Sequence, residues 1–86
     1  MYEIRYTKPA IKDIKNLKQA NLDIKVKNLI ELLRKNPFET PPPYEKLVGD
    51  LIGAYSRRIN RQHRLVYTID VEHHTVIIIR MWTHYE

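Results

Sequence analysis

The chain has 86 residues, 43% of them hydrophobic and 29% charged, with a formal net charge of +5 and no cysteine. That length accommodates one compact domain with a modest core, so residues 1–86 are read as a single domain. The missing cysteines exclude a disulfide framework, a thiolate metal site and a cysteine nucleophile; the basic balance, with a pI near 9.6, favours polyanionic partners such as nucleic acid or an acidic protein.

The N-terminus, MYEIRYTKPAIKDIK, has no apolar leader core, and no stretch approaches the ~20 apolar residues of a membrane span, so a cytoplasmic location is expected. Tyr2–Thr7 alternates enough to form a first strand. Thr7 caps a helix with Pro9 in its first turn, and Ile11, Ile14 and Leu17 recur at helical spacing with Lys12, Asp13 and Lys15 between them. This first helix ends around KQAN. A second helix runs from about Leu22 to Lys35, with Leu22, Val26, Leu29, Ile30 and Leu33 as its apolar stripe. Asn36 is expected as its left-handed cap, followed by Pro37. The short break at Ala20–Asn21 makes the pair an antiparallel helical hairpin.

Asn36–Leu47 carries four of the chain's five prolines and is read as an ordered crossing loop. Three strand-like runs follow, at residues 54–59, 64–70 and 75–82, parted by NRQH and VEHH turns. The pattern is β-α-α-β-β-β, an α+β class. An N-terminal strand and a three-stranded antiparallel meander form a small twisted sheet, and the helical hairpin covers one face. The other face has no element left to cover it, and a ligand can lie there.

The segment SRRINRQHRLVY, residues 56–67, crowds Arg57, Arg58, Arg61, His63 and Arg64 onto one hairpin. Ser56 and Arg58 share a strand face, opposite to Arg57 and Ile59. A hairpin loop of odd length centred on Arg61 sets Arg58 beside Arg64, and like charges side by side call for an anion between them. Guanidinium forks match phosphate in geometry as well as charge. Two readings of the cluster stand: an anion-binding surface, or a solvated edge that discourages strand-to-strand aggregation. By pattern alone Glu45 is a solvated carboxylate, His84 a frayed terminus, and Trp82 and Tyr85 core or rim aromatics. The histidines have no metal-ligand spacing, so no metal and no cofactor is expected. Ser56 lacks the partners of a hydrolase nucleophile.

PFE after a long helix, then EKL, then SRRINRQHRLVY, then a terminal HYE together resemble the YoeB/Txe family of the RelE superfamily of bacterial toxins. The resemblance spans almost the whole chain. It implies a RelE-like fold and a ribosome-dependent mRNA endonuclease, the toxin component of a toxin–antitoxin system. It further implies Glu45 as general base, Arg58 and Arg64 as the phosphate site, and His84 as general acid with Tyr85 beside it. The sequence departs from the family in three places. Leu47 and Val48 stand where relatives are often basic, which leaves any lysine role to Lys46; Tyr55 replaces a tryptophan; Glu86 extends past the usual tyrosine end.

Arg57, Arg61, His63 and Lys46 are the further residues expected to contact RNA, with Trp82 or Tyr85 stacking on an unpaired base. Glu45, Arg58, Arg64 and His84 are expected to border one concavity. The implied partners are mRNA on the ribosome, a cognate antitoxin whose acidic, partly disordered segment suits the basic surface, and a second copy in a homodimer. Two rival readings are a non-catalytic nucleic-acid-binding module and a gyrase-inhibiting toxin of the same superfamily.

Overall fold

The structure, a computed structural model, describes residues 1–82. Its elements are β1 (Glu3–Tyr6), α1 (Lys8–Gln19), α2 (Asp23–Lys35), β2 (Glu45–Lys46), a 3-10 turn (Gly49–Leu51), β3 (Ala54–Arg58), β4 (Arg64–Asp70) and β5 (Thr75–Arg80). The five strands form one sheet in the order β1-β5-β4-β3-β2. β3, β4 and β5 are the expected antiparallel meander, and β1 joins its far edge parallel to β5, with Tyr6 opposite Ile78. β2 was absent from the expected pattern. Only two residues long, it pairs Glu45 with Ser56 and Lys46 with Tyr55 at the other edge.

Thr7 both starts α1 and fastens it to the sheet. Its hydroxyl accepts from the Ala10 amide at 3.2 Å and donates to the Ile79 carbonyl at 2.8 Å. The break between the helices is a tight left-handed turn. Asn21 has φ 59°, its amide bonds the Lys18 carbonyl, and the Leu22 amide reaches back to Leu17. These are the two bonds of a Schellman cap, and asparagine tolerates the positive φ better than most residues. The expectation of a left-handed Asn36 is corrected: that residue is extended, at φ −159° and ψ 100°. Pro37 is the reason, because its ring disfavours helical backbone in the residue before it. Asn36 instead turns its side chain to accept from the Phe38 amide at 3.1 Å.

Ala10, Leu17, Val26, Ile30 and Leu33 from the helices meet Ile59, Leu65, Tyr67, Val76, Ile78 and Met81 to form the core. On α1 the buried positions are Ala10, Asp13 and Leu17, so the inward face is centred away from Ile11, which is 55% exposed. The surprise there is Asp13, buried where a solvated position was expected. Its carboxylate accepts from Arg80 Nε at 3.0 Å and Nη2 at 3.1 Å, and from the amides of Met81 at 2.9 Å and Trp82 at 3.2 Å. One helix side chain thus fixes the course of the backbone as it leaves β5.

Arg57 is the second buried charge and has no accessible surface. It lies on the face of β3 that carries the core, opposite Leu65. Its Nε donates to the Tyr67 hydroxyl at 2.9 Å, Nη1 to the Pro42 carbonyl at 2.6 Å and Nη2 to the Pro37 carbonyl at 2.9 Å. The guanidinium also lies 5.0 Å from the centroid of the Tyr44 ring. Burial pushes the Tyr67 phenol above its ordinary value, while the hydrogen bond and charge of Arg57 pull against it. The expectation that Arg57 meets RNA is therefore corrected. Its adjacent arginine faces out because strand neighbours alternate; Arg57 faces in and holds the proline loop to the sheet.

Two stability predictions follow from these charges. Asp13→Ala removes the carboxylate that Arg80 and two amides share and is expected to cost about 2–3 kcal/mol, on the order of 10–20 °C in melting temperature, as read by thermal denaturation. Arg57→Met removes the donor for three acceptors and is expected to cost about 2–4 kcal/mol. Limited proteolysis should then cut first within residues 37–44, where the proline loop loses its anchor.

A candidate phosphate-binding active site on the open sheet face

The hairpin between β3 and β4 sets the register of the site. The Asn60 side chain accepts from the amides of Gln62 at 2.8 Å and His63 at 2.7 Å, and the Ile59 amide bonds the His63 carbonyl at 2.9 Å. This closes an odd-length loop, and Arg58 stands directly opposite Arg64, as the spacing predicts. β2 adds Glu45 to the same face, opposite Ser56. The proline loop reaches the sheet's β2 edge, where Pro42 and Pro43 wall off one side.

The result is a concavity of about 260 Å³ lined by Pro42, Pro43, Glu45, Ser56, Arg58 and Arg64. Arg64 Nη1 lies 3.5 Å from Glu45 Oε1; the arginine side chain is 19% exposed and the carboxylate 66%. Such a half-exposed pair is worth little to stability. Its effect is on charge: one carboxylate offsets one of two opposed guanidiniums, and the remaining positive charge favours an anion in the concavity. Three of the four residues expected around one concavity are therefore together. The fourth, His84, and its neighbour Tyr85 lie outside the described residues. A second hollow, also of about 260 Å³, lies elsewhere, between the helices and β1, and holds none of these groups.

The remaining expected RNA contacts divide. Arg61 is exposed at the hairpin tip. Lys46 is exposed but pairs with Tyr55, so strand alternation puts it on the opposite face from Glu45. His63 is corrected as an RNA contact: it is 6% exposed, and its ring stacks on Trp82 at 3.7 Å between centroids and 16° between planes. One face of the Trp82 indole is thereby occupied. With the Asp13 clamp, this stack holds the chain in place two residues before His84. Among the described residues, no three histidine, aspartate or glutamate side chains gather closely enough to hold a metal ion. The sequence reading missed Ser56 as a lining residue, although its shared face with Arg58 was a usable signal.

Comparison with known proteins gives the family. Residues 6–85 match the family described as the YoeB-like toxin of bacterial type II toxin–antitoxin systems. Toxin YoeB of Synechocystis sp. is 40% identical over 74 residues, 86% of this chain and 77% of the relative. A solved YoeB–YefM complex from Staphylococcus aureus contains a chain 35% identical to this one, with a TM-score of 0.81 and 99% of each chain covered. A YoeB dimer from the same organism gives 34% identity and a TM-score of 0.82 over 98% of each chain. With its sequence matched almost end to end and its sheet superimposable on theirs, the chain belongs to the YoeB-like toxins of bacterial type II toxin–antitoxin systems.

Proposed function

We propose that the chain is an endoribonuclease that cuts mRNA on the ribosome by acid–base chemistry without a catalytic metal. One observation carries the reading: a carboxylate and two opposed guanidiniums border a single concavity on the uncovered face of the sheet. RNA cleavage through its own 2′-hydroxyl needs three services around one phosphate. Glu45 takes the proton of the 2′-hydroxyl as that oxygen attacks phosphorus in line. Arg58 and Arg64 hold the equatorial oxygens as negative charge builds on them. His84 gives a proton to the departing 5′-oxygen, and imidazole titrates near neutral pH, so it reloads between turnovers. The products are a 2′,3′-cyclic phosphate, or the 3′-phosphate from its opening, and a 5′-hydroxyl.

An exposed carboxylate is a weak base, and weak bases depend on positioning. The ribosome supplies it by presenting a codon held in one conformation, which removes much of the entropic cost of in-line attack. Exposed Arg61 at the hairpin tip adds phosphate contact at the rim. Trp82 and Tyr85 contribute aromatic surface at the end of the chain. A substrate held on the ribosome places the activity in the cytoplasm.

The partners follow from the same charge. The Staphylococcus aureus relative is found with YefM, and we extend to this chain an antitoxin whose acidic segment orders on the basic face and covers the concavity. The dimer seen for that relative supports homodimerisation of this chain as well.

In a purified translation system, the wild-type protein should cut mRNA within a ribosome-bound codon, leaving 5′-hydroxyl ends. A single 2′-deoxy substitution at the cut site should abolish cleavage. Glu45→Gln, Arg64→Ala and His84→Gln should each lower the single-turnover rate by about 10²–10⁴-fold without matching losses of melting temperature. A 5′-phosphate at the cut would contradict the scheme. Inhibition of gyrase supercoiling with mRNA left intact would transfer the chain to the gyrase-directed branch of the superfamily.

A further inference from the structure

Ser56 is 1% exposed, and among the described residues its Oγ has no hydrogen-bond partner. A buried hydroxyl without a partner is destabilising, and most such groups in folded proteins are paired. Nothing in the packing demands a hydroxyl here. Ala54, two residues earlier on the same strand face, is also buried and does without one. Yet Ser56 is no isolated core position: it lines the concavity, directly opposite Glu45 and two residues from Arg58.

The strand register sorts these groups into two rungs. Arg58 and Arg64 form one, and Glu45 and Ser56 form the other, about 7 Å along the strands. The arginine rung supplies donors only and fits phosphate oxygens. The second rung offers a carboxylate that only accepts and a hydroxyl able to donate. A group seated between them must donate to one side and accept from the other, and the ribose 2′-hydroxyl does both.

We propose that Ser56 is a substrate-binding residue that donates from Oγ to the 2′-oxygen of the nucleotide to be cut, while that 2′-hydroxyl donates its own proton to Glu45. This rests on the nuclease reading given above and deepens it by naming the group that sets the attacking oxygen. The serine keeps its proton throughout. It orients the 2′-oxygen between the base and the phosphate, and its buried hydroxyl gains its partner when substrate arrives.

The test compares wild type, Ser56→Ala and Ser56→Cys for single-turnover cleavage of ribosome-bound mRNA and for thermal melting. Ser56→Ala removes an unpaired group, so its melting temperature should equal or exceed wild type while cleavage falls about tenfold or more. Ser56→Cys keeps the side-chain shape with a bulkier, weaker donor and should fall likewise. In a His84→Gln background, the preference for binding a ribo codon over its 2′-deoxy analogue should shrink with Ser56→Ala. Cleavage within twofold of wild type in both variants, or losses that track a lowered melting temperature, would overturn the role of Ser56 alone. A wild-type protein that leaves mRNA uncut would overturn the nuclease reading and this assignment together.

Discussion

The site depends on a charge that never meets solvent. Arg57, with no accessible surface, donates three hydrogen bonds to the Tyr67 hydroxyl and to the carbonyls of Pro37 and Pro42. Burying a guanidinium is costly unless its donors are satisfied, so the sheet and the proline loop must come together for the cation to be tolerated at all. That constraint holds the loop against the sheet edge. Three residues past Pro42 the chain enters β2, and Glu45 arrives opposite Ser56. The adjacent arginine, Arg58, points the other way into the concavity the loop has walled. One dipeptide thus supplies both the anchor of the site and part of its charge.

A second anchor serves the other end of the chain. Asp13 gathers Arg80 and the amides of Met81 and Trp82, and His63 stacks on the Trp82 ring. The core positions both anchors, but neither is itself a contact among apolar groups. The helices matter to the proposed chemistry mainly through Asp13, which sets where the backbone heads after β5. The open sheet face carries Arg58 and Arg64 opposed, with Glu45 near one of them, which is where we propose the phosphate lies.

The sequence carried the strand and helix order because periodicity and breakers act locally. It carried the Arg58–Arg64 rung as well, since an odd-length loop fixes that register once the hairpin forms. Local signals misled at Asn36: asparagine suits a left-handed cap, as Asn21 shows after α1, but Pro37 decides against that backbone at Asn36. The buried roles of Asp13 and Arg57 were hidden because charged residues are rarely buried unless paired, and their partners lie 67 and 15 residues away. A two-residue strand such as β2 has no period to detect. Its pairing follows from the loop anchor, which only tertiary structure displays. Glu45 stands out in the sequence only through resemblance to relatives, and its place beside Arg64 needs the fold.

On the reading proposed here, Arg58, Arg64 and Glu45 address a single phosphate. The most direct measurement is an NMR titration of the arginine side-chain Nε–H signals with inorganic phosphate at low ionic strength. Arg58 and Arg64 should shift together along one saturating curve, with a single dissociation constant, and Glu45→Gln should tighten that binding by removing the competing carboxylate. Signals of exposed Arg5 and Arg61 moving instead, without saturation at Arg58 and Arg64, would contradict that assignment.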